Sequence, residues 1–388
     1  MNIVTVHNSY QVPGGEDEVF RAESGLLAER GHQVACFTAD NAGIPELGRI
    51  RLLYSTFWNQ AAYRSLRTLV EQRRASIVHF HNTFPLLSPA VYRAARDAGA
   101  AVVQTLHNFR MVCPNGLLLR DGRVCQDCVG KSFAWPGVAH ACYRQDRLAT
   151  AVAAGMVSYH RALGTWRRDV SVYIVMSRFA KSVFAAGGLP VEKLAVKPNF
   201  VHPDPGSSDG RGAYVVFSGR LSEEKGLKVL LEAWKRLKAR AQLKLLGDGP
   251  LAGWIQQQVR DDPSMEWLGR LPREQALGVV RGAYLLVVPS LCYEGSPLAV
   301  LEAFAAGVPV VASRIGSLEE VIEHGRTGLH CAAGDPEDLA AALDRALAEP
   351  RLVAGMGRAA RAEYEANYTA SRNYERLIEI YEAARRHA

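Results

Sequence analysis

The chain has 388 residues, 48% hydrophobic and 22% charged, with a formal net charge of +7. That length exceeds one ordinary core and suits two domains. The composition excludes disordered and fibrous classes, and no apolar run is long enough to cross a bilayer. The charge is uneven: residues 1–200 carry 23 basic and 14 acidic side chains, the remainder 23 and 25. The Arg-rich half points towards an anionic membrane surface, a pyrophosphate-linked acceptor or, less favoured, nucleic acid. Plain solubility charge explains it as well.

Met1-Asn2-Ile3-Val4-Thr5-Val6 opens directly as a strand, without a basic leader or small-residue cleavage site. A chain without a secretory signal is expected, retained in the cytoplasm, with its seven cysteines mostly reduced. Strand-like runs follow at Val34–Phe37, Ile77–Phe80, Ala101–Thr105 and Val172–Val175, each succeeded by a helical pattern or a long loop. The segment Lys197 to Gly210 holds three prolines among Gly, Ser and Asp and reads as a linker. Alternation then resumes at Ala213–Phe217, Leu243–Leu246, Leu285–Val288, Val308–Val311 and Gly328–Cys331. Asp335-Pro336 starts a helix over Pro336–Ala348, and a last amphipathic helix covers Tyr368–Arg385. This βαβ pattern predicts an α/β fold of two doubly wound, Rossmann-like domains, 1–200 and 213–367, joined by residues 201–212. Ligands in such sheets gather at the strand carboxyl ends, here in a cleft between the domains.

Two motifs carry the chemistry. Ser218-Gly219-Arg220 with Glu224-Lys225-Gly226 follows a strand and opens a helix, so a Gly-flanked turn presents two cations where phosphate is readily held. Glu294-Gly295-Ser296-Pro297 precedes an apolar helix whose sole polar residue is Glu302. Ser296 is a natural N-cap and Pro297 a natural first helical residue, which would turn the amides of Gly295, Ser296 and Leu298 towards a diphosphate. A glutamate in such apolar company predicts a specific partner. The chain has no Asp-x-Asp, the usual metal–diphosphate signature.

These segments, together with Pro13-Gly14-Gly15-Glu16, Thr105-Leu106-His107-Asn108, Val196-Lys197-Pro198-Asn199 and Leu246-Gly247-Asp248-Gly249-Pro250, resemble the family 4 glycosyltransferases of the GT-B fold in both order and spacing. The resemblance covers essentially the whole chain. It implies a retaining, metal-independent transfer of sugar from a nucleotide-diphosphate sugar to a glycan or lipid-linked acceptor, as in surface polysaccharide biosynthesis. Arg220 and Lys225 would neutralise the leaving diphosphate, Glu294 would hold the transferred sugar, and Glu302 the ribose. Gly219, Gly249 and Leu268 would lie against the donor. Gly14, Gly15 and His81 would face the acceptor. The family often has His-Asp where this chain has His107-Asn108, so His107 is assigned to hydrogen bonding of sugar or acceptor. Residues 368–388 would form a helix crossing back onto the first domain. A glycosyl phosphorylase, a sugar-phosphate synthase and a non-catalytic nucleotide-sugar-binding subunit are the alternatives. No aromatic-basic nucleic-acid module is found.

Cys36, Cys292 and Cys331 read as solitary core residues. Cys113, Cys125, Cys128 and Cys142 could hold a structural Zn²⁺, although their outer spacings match no standard zinc module; no catalytic metal or required cofactor is expected. The stretch from Tyr54 to Val70, ending in Arg73-Arg74, is aromatic and basic at helical spacing. It could rest at the inner face of an anionic membrane; a core-facing helix with solvated arginines is the plainer reading.

Overall fold

The computed structural model describes residues 1–11, 14–208 and 212–386. The chain divides into two compact units. The first comprises Met1–Leu118, Gln126–Pro198 and Asn373–Ala388; the second comprises Leu119–Cys125 and Asn199–Arg372. Of the expected linker, residues 209–211 lie outside the described residues.

The first unit is built on six parallel strands: β1 (Asn2–Ser9), β2 (Gln33–Asp40), β3 (Ile77–Asn82), β4 (Ala101–Leu106), β5 (Val172–Val175) and β6 (Leu194–Val196), in the spatial order β2-β1-β3-β4-β5-β6. Strands β3, β4 and β5 are buried throughout, as expected of parallel strands covered on both faces by helices. β2 is the edge strand and alternates exposed with half-buried residues. Cys36 falls on its outward register and is exposed, not in a core. The short β6 was not anticipated, because three residues after Glu192-Lys193 carry too little periodicity to stand out. The helix Ala370–Arg386 contributes Leu377, Ile380, Tyr381 and Ala384 to a core shared with Ile3, Leu27, Ile77, Val103 and Ile174.

In the second unit, β7 (Tyr214–Ser218), β8 (Gln242–Leu246), β9 (Met265–Gly269), β10 (Leu285–Val288), β11 (Val310–Ser313) and β12 (Gly328–Cys331) are also all parallel, in the order β9-β8-β7-β10-β11-β12. β9 escaped the sequence reading because it mixes Glu266 and Gly269 into a short run at the sheet edge. Strand order reverses between β7 and β10, whose pairing runs through Val215–Leu285 and Val216–Leu286. Such a reversal opens a crevice outside the carboxyl ends of the two strands. The helix Pro336–Ala348 has the predicted bounds, with Asp335 accepting hydrogen bonds from the amides of Glu337 and Asp338.

Among the described residues no helix is long and apolar enough to cross a membrane. Leu377 is fully buried. Its substitution by Ala should cost about 2–5 kcal/mol of unfolding free energy in urea titrations, and an unchanged midpoint would show that this helix does not complete the first core.

Candidate active site

In the second unit both motifs flank the β7/β10 reversal. The turn after β7 is laced to its neighbours: the Gly219 amide donates to the Leu246 carbonyl at 3.0 Å, and the Leu221 amide to that of Asp248 at 3.0 Å. A Cβ on Gly247 would stand 1.9 Å from the Gly219 carbonyl oxygen, and one on Gly249 2.5 Å from that of Leu221. These glycines are therefore required by backbone packing. Gly226, at φ +70°, is similarly pressed, since a Cβ there would fall 1.9 Å from the Pro289 carbonyl oxygen. Leu268 is half-buried within β9.

This contact places Lys225 against Glu294. Lys225 Nζ lies 2.7 Å from Oε1 and 2.9 Å from Oε2 of Glu294, and the Ser290 hydroxyl donates to Oε1 at 2.5 Å. The Ser317 hydroxyl holds the Glu294 main-chain carbonyl. Burial opposes the ammonium charge, but the Glu294 carboxylate, assisted by Glu224, outweighs it and carries Lys225 above its ordinary pKa. Burial and Glu294 push the neighbouring Cys292 thiol upwards, so it stays protonated. Arg220 is exposed and has no ion-pair partner among the described residues. The two cations expected to act alike therefore differ: one is clamped and one stands open.

Two expectations change. Ser296 does not cap the following helix. Leu298–Ala305 starts one residue later than expected, with Pro297 at the N-cap and no side-chain cap, while the Ser296 hydroxyl accepts from the Asn199 amide at 3.3 Å. Asn199 Nδ2 also donates to the Ser296 carbonyl at 2.9 Å, so this serine serves the chain entering the unit. Glu302 does have a specific partner within the protein: Arg273 Nη1 lies 3.1 Å from Oε1. Arg273 was missed. Its signal was an arginine directly after Leu271-Pro272, at the start of helix Arg273–Arg281.

In the first unit Gly14 is the extended N-cap of helix Gly15–Glu29; Pro13 of the same motif lies outside the described residues. A Cβ on Gly14 would meet nothing within 4 Å, so the fold's own packing does not demand glycine there. The Gly14 amide donates to Asp17 Oδ2 at 2.8 Å, and Asp17 Oδ1 meets His7 Nε2 at 3.0 Å. Burial works against the Asp17 carboxylate, yet these bonds hold it below its ordinary pKa. At the end of β4, His107 Nε2 faces His81 Nδ1 at 3.0 Å. Asn108 is engaged elsewhere: its Oδ1 accepts from the Arg110 amide at 3.0 Å and its Nδ2 donates to the Tyr10 hydroxyl at 3.3 Å.

Glu16 appeared only as the last residue of the Pro13-Gly14-Gly15-Glu16 motif and was given no role of its own. The Tyr10 hydroxyl donates to its Oε2 at 3.0 Å, while Oε1 is buried without a hydrogen-bond partner. Burial, reinforced by Asp17 against the relief from Tyr10, raises Glu16 from 4.5 to about 8.

Glu23, His79 and His81 bring ligating atoms within 4.8 Å of one another. Lys197 Nζ already sits 2.6 Å from Glu23 Oε1, however, and both His79 nitrogens have partners in Thr105 and Tyr381. Only Glu23 Oε2 and His81 Nε2 are left without a hydrogen-bond partner there, and the Lys197 ammonium already supplies the positive charge beside the carboxylate, so the cluster does not fit an ion. Of the four cysteines, Cys113 and Cys128 are buried. Cys113 Sγ donates to Asn115 Oδ1 at 2.9 Å. Cys128 packs on the turn at Gly137, whose carbonyl accepts from the Cys142 amide at 3.0 Å. Cys125 is half-buried and belongs to the second unit.

The raised Glu16 has a stability signature. The folded state binds its proton more tightly than the unfolded state, so this contribution is present at acid pH and is lost as pH climbs from about 4.5 towards 8. Glu16→Gln cannot titrate. Its melting temperature relative to the parent should therefore rise by roughly 2–4 °C between about pH 5 and pH 8.5, and a pH-independent difference would reject the assignment.

Comparison with known proteins identifies the family. Residues 13–205 match the family model described as Glycosyltransferase Family 4, and residues 212–349 that described as Glycosyl transferases group 1. The amylovoran biosynthesis glycosyltransferase AmsK of Erwinia amylovora is 30% identical over 223 residues, covering 53% of this chain and 55% of that protein. A glycogen synthase of Mycobacterium tuberculosis is 33% identical over 180 residues, 45% of this chain and 43% of that one. The chain thus spans about half the length of the curated relatives it matches. In fold it is similar to Anabaena Alr3699/HepE, at TM-score 0.71 and 17% identity over 99% of this chain and 100% of that one. It is also similar to a sucrose-phosphate synthase of Thermosynechococcus elongatus, at TM-score 0.73 and 19% identity over 98% of each. With two adjoining family models over its two sheets and the GT-B fold of its structural neighbours, the chain belongs to the family 4, group 1 glycosyltransferases.

Proposed function

We propose that the protein moves a sugar from a nucleotide-diphosphate sugar to a glycan or lipid-linked hydroxyl, with retention of anomeric configuration and without a catalytic metal, in the building of a surface polysaccharide. The observation that carries this reading is the pairing of an exposed Arg220 with the clamped Lys225–Glu294 unit across the β7/β10 reversal. The donor class is supported by HepE, whose structures hold UDP, UDP with glucose, and UDP-glucose.

As the bond from the anomeric carbon to the diphosphate oxygen lengthens, negative charge grows on the leaving oxygens. Arg220 and Lys225 would compensate that charge directly. Lys225 can share its ammonium with the diphosphate while Ser290 keeps the Glu294 carboxylate in place for a sugar hydroxyl. Attack from the same face forms the bond from the acceptor oxygen to the anomeric carbon, and the acceptor proton passes to the departing phosphate oxygen. Glu302, turned by Arg273, would accept from the ribose hydroxyls.

Arg220→Ala should lower kcat by about 10²–10³ with an unchanged melting temperature, because the side chain is exposed. Lys225→Ala should lower both, since it strands the Glu294 carboxylate. In thermal-shift and turnover assays with UDP-, GDP- and ADP-sugars, one donor should stabilise the protein and be turned over after exhaustive EDTA treatment. Turnover untouched by Arg220→Ala, or lost to EDTA and restored by Mg²⁺, would overturn the reading.

Contact with an anionic membrane belongs to the same proposal. The aromatic-basic stretch breaks at Trp58-Asn59 into two helices with different fates. Gln60–Arg73 buries Ala62, Leu66 and Val70. Arg49–Phe57, by contrast, exposes Ile50 (73%), Leu53 (41%) and Tyr54 (72%) beside Arg51. An apolar face flanked by arginine fits an interfacial helix. The protein should float with vesicles containing phosphatidylglycerol and less with neutral ones, and Ile50→Asp with Tyr54→Ser should reduce flotation several-fold. Equal behaviour on both lipids would exclude this contact.

A further inference from the structure

A half-buried imidazole, a buried one and a buried carboxylate form a line in the first unit. His81 and Glu23 are 2% and 1% exposed. His81 Nδ1 and His107 Nε2 are 3.0 Å apart, a separation at which one nitrogen carries the hydrogen and the other the lone pair. On the far side of the His81 ring, Nε2 lies 3.5 Å from Glu23 Oε2. Both of those atoms are buried and lack a hydrogen-bond partner. The other Glu23 oxygen is fixed by Lys197 Nζ at 2.6 Å. Asn373 secures the pair, with its oxygen 2.8 Å from Lys197 Nζ and its nitrogen 3.2 Å from Glu23 Oε1 in the amide orientation that satisfies both.

The carboxylate decides the tautomers. A lone pair on His81 Nε2 would oppose the Oε2 charge at a buried site shielded from bulk solvent, whereas an N–H there is attracted. We infer that Glu23 fixes His81 as the Nε2–H tautomer, so that His81 Nδ1 accepts from His107 Nε2–H and His107 is left with a bare Nδ1, an acceptor for a sugar hydroxyl. Burial, ahead of the repulsion from neighbouring cations and imidazoles, depresses both pKa values and keeps the rings neutral, which the relay requires.

Glu23 and His81 are thus positioning residues. The carboxylate that an aspartate at 108 would bring to the imidazole is supplied from helix Gly15–Glu29, through a second ring. Asn108 plays no part, since its side chain is committed to Arg110 and Tyr10. The identity of the hydroxyl rests on the transfer reaction proposed above; the tautomer does not.

Long-range ¹H–¹⁵N spectra of the full-length protein with ¹⁵N-histidine, near pH 7.5, test the inference. Signals are assigned by comparison with His81→Phe and His107→Asn. The expected result is His107 protonated on Nε2 and bare on Nδ1. Glu23→Gln presents an amide hydrogen to His81, reversing the order, and should move the His107 hydrogen to Nδ1 while kcat falls about ten-fold with little change in KM; Glu23→Asp should restore the original pattern. Because Glu23→Gln also strands the Lys197 ammonium, the wild-type spectrum is the deciding measurement. His107 protonated on Nδ1, or on both nitrogens, overturns the relay whatever the activity. Absence of transfer from every nucleotide sugar overturns the reaction and leaves the tautomer result standing.

Discussion

The close approach of Gly226 to the Pro289 carbonyl is the constraint from which the second unit's candidate site follows. Only a residue without a Cβ lets the start of one helix lie against the loop after a neighbouring strand. With that contact made, a flexible lysine from the first and a glutamate from the second meet at 2.7 Å across the point where strand order reverses. The pairing restrains both before any ligand arrives. Losing one member of a fully buried pair leaves a charge worth about 3–5 kcal/mol uncompensated; with a quarter of the Lys225 side chain still in solvent, the effect here is smaller. The arrangement gives up some stability to hold charge where a diphosphate would need it.

The first unit uses a different device. It sinks ionisable groups into the sheet and satisfies them in chains: Lys197 to Glu23, Glu23 towards His81, His81 to His107, with His7 and Asp17 alongside. Burial keeps His81 and His107 neutral and lifts Glu16 to about 8. Neutral rings and a protonatable carboxyl suit recognition of hydroxyls, whereas fixed cations suit a leaving anion, which is the division of labour that the proposed transfer would need.

Much of this was legible in the chain. Parallel strands buried on both faces announce themselves as unbroken apolar runs, so Val172–Val175, Leu285–Val288 and Gly328–Cys331 have the predicted bounds. Edge and short strands do not: β6 is only three residues long, and β9 mixes Glu266 and Gly269 into its run at the sheet edge. Arg220, Lys225, Glu294 and Glu302 could be picked out because a loop cation or a glutamate in an apolar helix stands against its background. Pairing could not be read. Nothing local links Lys225 to Glu294, Arg273 to Glu302, or Ser296 to Asn199, since each contact spans tens of residues and depends on sheet order. Glu16 was hidden for the opposite reason: acids are common at helix starts, and only burial beside Tyr10 sets this one apart.

The closing helix carries a consequence for biogenesis. Leu377, Ile380 and Tyr381 finish a core begun by Ile3, and Asn373 seals the Glu23–Lys197 contact. On the ribosome, at about 5–20 residues per second, the second unit emerges whole while the first still waits for its last wall. The half made first is therefore finished last, and until then its apolar sheet face and buried charges stand open to chaperones or to aggregation.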